Sequence, residues 1–280
     1  MTTSGFWQQV QADGLRVPAQ RPLDDLTAEL TAMLGSPDPE TRDGLAYPAL
    51  ATWIHRGVYD DLLRGLGDGI ATGLLTGLGE SGTDSVFRRS WSALVLGECL
   101  ARDNEVLRLE AATVLRWGDH LATWLLREQD LRGYVPGQGW AHAIAHGADA
   151  LSQLARSRHL EQPELTAILD VVADRVTVPG ARLNSGEPDR LATTVMALLG
   201  RDLLPLSLLE PWVNRLRLAA TARVAGDRDP YDATGNAEAF LRALHLQVVL
   251  SPQAPSLRAD LLLVLVDALR ASNARHLIGY

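Results

Sequence analysis

"SPDPETRDGLAYPALATWI", residues 36–54, is the stretch whose reading decides the fold. Ser36 or Asp38 can cap a helix, Pro39 suits a first turn where no donor is needed, and Glu40 complements the positive helix end. Apolar residues then recur at helical spacing as far as Ile54. Pro48 falls inside this helix and removes one backbone donor, so a bend is expected there. Similar openings stand at "GTDSVFRRSWSALVLGECL" (82–100), "GQGWAHAIAHGADALSQLA" (137–155), "GEPDRLATTVMALLG" (186–200) and "ATGNAEAFLRALHLQ" (233–247). They return at intervals of roughly 45–55 residues, each followed by a second helix, which is the period of stacked HEAT-type hairpins. The expected fold is all-α: one α-α superhelix of HEAT-like helical hairpins, a single repeat domain over 1–280. An irregular helical bundle is the plainer alternative.

Working outward, the periodicity predicts helices over 4–13, 24–35, 38–55, 58–78, 84–103, 106–129, 139–158, 163–176, 188–200, 206–224, 233–250 and 256–272. No segment alternates with period two for long enough to read as a strand; "RVTVPGARLN" at 175–184 comes nearest, and its Pro and Gly make it a loop. The glycine-laden "RGLGDGIATGLLTGLGESG" at 64–82 contains G-x-G-x-G but has no preceding strand and no βαβ context, so it is not read as a dinucleotide fingerprint. Gly69, Gly73 and Gly77 share one helical stripe there, which suits close helix contact.

The bulk numbers bound the function. A net charge of −8 argues against a nucleic-acid surface, and all 26 basic residues are arginine. Without lysine, Schiff-base chemistry and a P-loop are excluded, and a cationic contact must come from arginine or protonated histidine. The lone Cys99 sits in an apolar helical run and reads as core. "MTTSGFWQQV" at the start has neither a basic nor an apolar leader region, and "LLLVLV" at 261–266 is too short to span a bilayer. The expectation is a cytoplasmic protein with no membrane and no nucleic-acid partner.

The functional clue is 137–155. Taken as a helix, it places Trp140, Ile144, Leu151 and Ala155 on one side, and His142, His146, Asp149 and Gln153 in a narrow arc on the other. Alanines flank that arc and allow neighbouring helices close. Three readings stay open. In the first, His142 and His146 bind a divalent metal, with Asp149 as a third ligand or orienting His146; Ala143 stands where a zincin carries its glutamate. In the second, a small polar or anionic ligand, or a protein segment, is held beside the helix start, with Arg132 and Tyr134 of "DLRGYVPGQGW" folding over it. In the third, the histidines only fix the packing and there is no pocket.

The motif "GWAHAIAHGAD" (139–149), with "LRGY" just upstream, resembles a bacterial family catalogued only as a domain of unknown function. The likeness extends to "RDGLAYPALATWI", "GTDSVFRRSWSALVLG", "EPDRLATTVMALLG" and "NAEAFLRALHLQ", and so spans roughly residues 35–250. The resemblance implies an all-helical bacterial protein and carries over no catalytic residue.

Other residues are weighed on their own. Arg42, Arg88, Arg89, Arg190 and Arg242 fall near first turns, where they either line one concave ligand surface or bridge to carboxylates such as Asp43 or Glu98. Glu98 lies in an apolar setting and is expected to pair with an arginine or to be a site carboxylate of raised pKa. Trp53, Trp91, Trp117, Trp124 and Trp212 read as core; Trp140 is the indole best placed to touch a ligand, though core is the first expectation for it too. Ser90 and Ser92 lack a nucleophile elbow. The expected function is ligand binding around His142, His146, Asp149, Trp140, Arg132, Tyr134, Arg89, Arg42 and Arg190. The enzymatic alternative is a hydrolase or lyase using His142, His146, Asp149 or Glu98, through a metal or as acid and base.

Overall fold

The computed structural model describes residues 3–178, 180–223 and 229–277, and the chain divides into two compact units, Met1–Ala150 and Leu151–Tyr280. The first unit holds α1 (Thr3–Ala12), α2 (Leu23–Met33), α3 (Pro39–Thr41), α4 (Tyr47–His55), α5 (Leu63–Ala71), α6 (Ser85–Val106) and α7 (Ala111–Arg127). A strand pair follows, β1 (Tyr134–Val135) and β2 (Gly139–Trp140), and then α8 (Ala143–Ala155), inside which the division falls. The second unit continues with α9 (Gln162–Thr177), α10 (Glu187–Leu199), α11 (Leu206–Ala220), α12 (Pro230–Leu250), α13 (Arg258–Ser272) and α14 (Ala274–Leu277). The protein is all-α, and no helix among the described residues is long and apolar enough to cross a membrane.

The deciding stretch folds much as its signals direct. Asp38 accepts from the Glu40 and Thr41 backbone N–H groups and so caps α3. The bend expected at Pro48 takes the form of a π-helical turn over Arg42–Ala46, in which Tyr47 N–H reaches back to the Arg42 carbonyl. Pro48 has no N–H to offer the Gly44 carbonyl four residues back; Gln11 Nε2 donates to it instead, at 2.8 Å. Gln11→Ala should therefore cost about 1 kcal/mol in urea unfolding, the worth of one ordinary hydrogen bond.

The first core gathers Leu26, Leu30, Leu50, Trp53, Phe87, Leu96, Trp117 and Trp124, all buried, with Cys99 among them, whose thiol pKa burial pushes up. Two glycines permit the closest approaches. A Cβ at Gly67 would lie 2.1 Å from the Trp117 ring, and one at Gly73 would lie 2.1 Å from Ser92 Oγ. The expected contact stripe is thus only partly right: Gly69 faces open space, and Gly77, with a φ of +60°, makes a turn. In the second unit, Trp212 donates Nε1–H to the Leu169 carbonyl and packs edge-on to Phe240, while Arg201 binds the Ala155, Ser157 and Leu160 carbonyls.

The reading of 175–184 as non-strand holds where it is described: α9 runs to Thr177, and residue 179 lies outside the described residues. The real strand pair is at 134–140, where none was expected.

Candidate functional site

The strand pair is what reshapes the functional stretch. Pro136-Gly137 is a type II turn signal, Pro setting φ at its first central position and Gly taking the positive φ of +78° at its second. The Gln138 N–H closes the turn on the Val135 carbonyl at 3.0 Å. Tyr134 then pairs with Trp140 across the ladder, their rings 5.2 Å apart and edge to face. Two more bonds, from Ala141 N–H to the Gly133 carbonyl and from His142 N–H to the Arg132 carbonyl, hold the returning chain.

Consequently α8 begins at Ala143, not near Gly139. His142 precedes it with a φ of +49°, the left-handed region that bulky residues enter rarely, and its carbonyl accepts the first bond of the helix, from His146 N–H. Trp140 is therefore no part of the helix face on which the periodicity placed it. Its ring folds back and stacks on His142, with centroids 4.2 Å apart and planes at 21°. Trp140 is 41% exposed, which corrects the core expectation, whereas His142 and His146 are only 7% and 6% exposed. His146 lies edge-on to His142 at 5.8 Å and to Trp91 at 4.7 Å.

Two neighbouring residues of α6 grip this corner. Ser90 donates its hydroxyl proton to the Ala141 carbonyl, and Trp91 donates Nε1–H to the Trp140 carbonyl at 3.2 Å. Ser90 Oγ also lies 2.8 Å from His146 Nδ1. A hydroxyl has one proton, and the carbonyl takes it, so His146 must donate from Nδ1. In neutral His146 the proton thus sits on Nδ1 and the lone pair on Nε2. Ser90 is a positioning group here, without the proton geometry of a nucleophile, which must give its own proton to the base. The helices meet this closely because a Cβ on Gly97, two turns along α6 from Ser90, would be 3.1 Å from Ala150 Cα.

Three of the arginines expected at a ligand surface, Arg42, Arg89 and Arg132, are held by protein groups. Arg42 is fully buried: Nη1 donates to the Ser36 carbonyl at 2.6 Å, Nη2 to the Gln138 carbonyl at 2.7 Å, and the guanidinium lies over the Phe87 ring at 4.1 Å. Its Nε stands 2.7 Å from Asp43 Oδ1, a close charge contact that is not aligned as a hydrogen bond. Burial pulls the Arg42 pKa down and pushes that of Asp43 up, outweighing their attraction. Arg89, also fully buried, pairs with Glu128 and donates to the Thr76 and Gly77 carbonyls. Arg132 is held by Asp130 and by the Thr83 carbonyl. Burial alone would raise the Asp130 pKa, but hydrogen bonds from Arg132 and the Gly82 N–H bring it below the ordinary range. Arg190 lies exposed in the second unit.

Among the described residues Glu98 pairs with no arginine. It accepts from Tyr47 Oη at 2.6 Å and meets His55 Nε2 at 2.7 Å. Tyr47 in turn sits edge-on to Trp91 at 5.4 Å, which connects this carboxylate to the histidine corner. Asp149 is half-buried on α8, one turn beyond His146. Among the described residues no group of three His, Cys, Asp or Glu side chains is arranged to hold a metal ion. Of the residues expected at a site, the structure brings together His142, His146, Trp140 and Tyr134; the contacts of Ser90, Trp91, Tyr47 and His55 had no sign in the sequence. The Tyr-Val-Pro-Gly run at 134–137 was the readable sign of the hairpin.

A family model described as a protein of unknown function (DUF2785) matches residues 74–246. No curated protein and no solved structure matches the chain.

Proposed function

The chain belongs to the DUF2785 family, proteins of unknown function, and from that membership and the geometry above we propose that it is a binding protein whose ligand docks on the hairpin corner. The observation that carries this is one stack: half-exposed Trp140 lies flat on buried His142, and His142 holds a left-handed backbone to keep it there. Uncommon backbone conformations retained by surrounding structure gather at functional sites. A planar polar group, from a small molecule or a protein segment, would stack against the open side of Trp140 or Tyr134. Because Arg42, Arg89 and Arg132 are committed to carboxylates and carbonyls, recognition of negative charge has little support at this corner. Bacterial origin, cytoplasmic location and HEAT-like stacking of the hairpins belong to the same proposal.

The enzymatic reading rests on a different observation, the contact between Ser90 and His146. It favours acid–base use of the His146 Nε2 lone pair over nucleophilic use of Ser90. The two readings part in one experiment. Ligand-observed NMR is run with a panel of heteroaromatic, carboxamide and guanidinium fragments on the wild type and on Trp140→Ala, beside metal analysis of untagged protein. Fragment signals lost in Trp140→Ala support binding at the corner. Fragments that bind the variant equally well, or stoichiometric metal that disappears in His142→Ala, would overturn it.

A further inference from the structure

A second site stands apart from the hairpin corner, in a groove of the first unit between α2, α5 and α6. Its larger lobe, widely open to solvent, has a volume of about 680 Å³ and runs past Thr31, Ser36, Gly65, Gly69 and Thr76 to Arg88. Its smaller lobe, about 440 Å³, shares Thr27, Ala28, Gly65 and Leu66 with the first and ends at Asp24 and Asp61. The two are therefore one continuous groove with a cation at one end and carboxylates at the other.

Arg88 differs from its neighbour Arg89. Its stem passes between Gly35 and Gly73, where a Cβ would come within 3.3 Å and 2.9 Å of it. The guanidinium is half-buried, and burial, with no carboxylate restoring it, pulls its pKa down. Among the described residues no carboxylate pairs with it, and an unpaired charge partly withdrawn from water is costly, a cost that an anionic ligand would offset. The middle of the groove is apolar and low. Side chains on Gly65 or Gly69 would meet nothing, so the glycines leave a floor on which a ligand body can lie.

We infer that this groove binds a small amphoteric molecule, its oxyanion paired with Arg88 and its ammonium group with Asp24 and Asp61. Asp24 and Gly35, which packs on the Arg88 stem, are eleven residues apart along α2 and its end, so the two ends of the ligand stand about 16 Å apart. An extended pentapeptide has that reach, at roughly 3.4 Å per residue.

Titration calorimetry with pentaalanine at millimolar concentration tests this. The wild type should bind it; pentaalanine amide, lacking the carboxylate, should bind roughly ten- to a hundredfold more weakly, and N-acetyl-pentaalanine more weakly too. Arg88→Gln should reproduce the loss seen with the amide. Gly69→Leu should abolish binding by filling the groove, while raising helix stability because leucine replaces glycine. Absence of binding to the wild type would overturn the inference, as would binding that ignores Arg88→Gln and Gly69→Leu. The hairpin corner does not enter this result, and Trp140→Ala should bind pentaalanine as the wild type does.

Discussion

Glu128→Ala is expected to lower stability by about 3–5 kcal/mol, the largest loss foreseen for any single side chain here, because it strands a buried cation. Glu128 and Arg89 are both fully buried and paired at 2.6 Å. The carboxylate also accepts from Trp124 Nε1 at 3.0 Å and from the Asp130 N–H at 2.9 Å. Alanine would leave those donors and a guanidinium without their acceptor. A paired replacement, Arg89→Met with Glu128→Leu, removes both charges but leaves the Trp124 Nε1–H, the Asp130 N–H and the Thr76 and Gly77 carbonyls without these partners, so it should recover only part of the loss. Thermal unfolding followed by circular dichroism checks both. If Glu128→Ala melts with the wild type, this ion pair does not support the first unit.

Arg42→Ala is the second. Three nitrogens of one guanidinium serve the Ser36 carbonyl, the Gln138 carbonyl and the Asp43 carboxylate, so truncation should cost about 3 kcal/mol. The effect should also be local. Gln138 belongs to the turn of the hairpin, and a Cβ on Gly139 would stand 3.1 Å from Arg42 Nη2. Releasing that clamp should speed amide exchange at Ala141 and His142 while leaving exchange in the second unit unchanged. Arg42→Lys should rescue little, because a single ammonium cannot reproduce a planar fork that addresses separate acceptors. Exchange at Ala141 and His142 no faster in Arg42→Ala than in the wild type would show that the hairpin stands without the clamp.

Much of the fold was legible because helical periodicity is long-range and redundant. A boundary such as that of α2 or α13 is backed by a dozen side chains, and one exception does not erase it. The candidate site depends instead on short-range choices. Two residues per strand give no periodic signal, so the hairpin hid inside an alanine-rich run that also satisfies helical spacing. The deciding feature there was local turn chemistry at Pro136-Gly137. Partners across the unit were harder still. That Glu98 would meet Tyr47 and His55, and that Arg42 would reach Gln138, depends on which faces of distant helices come together, and no spacing within either segment records it.

The unequal exposure of the indoles has a practical consequence. Of the seven tryptophans, Trp7, Trp53, Trp91, Trp117, Trp124 and Trp212 are buried and Trp140 alone is open to solvent. A diffusing quencher such as acrylamide will therefore reach the emission of one ring ahead of the rest. The hairpin corner carries its own optical reporter, and occupancy there can be followed by shielding of that one emission without attaching a dye.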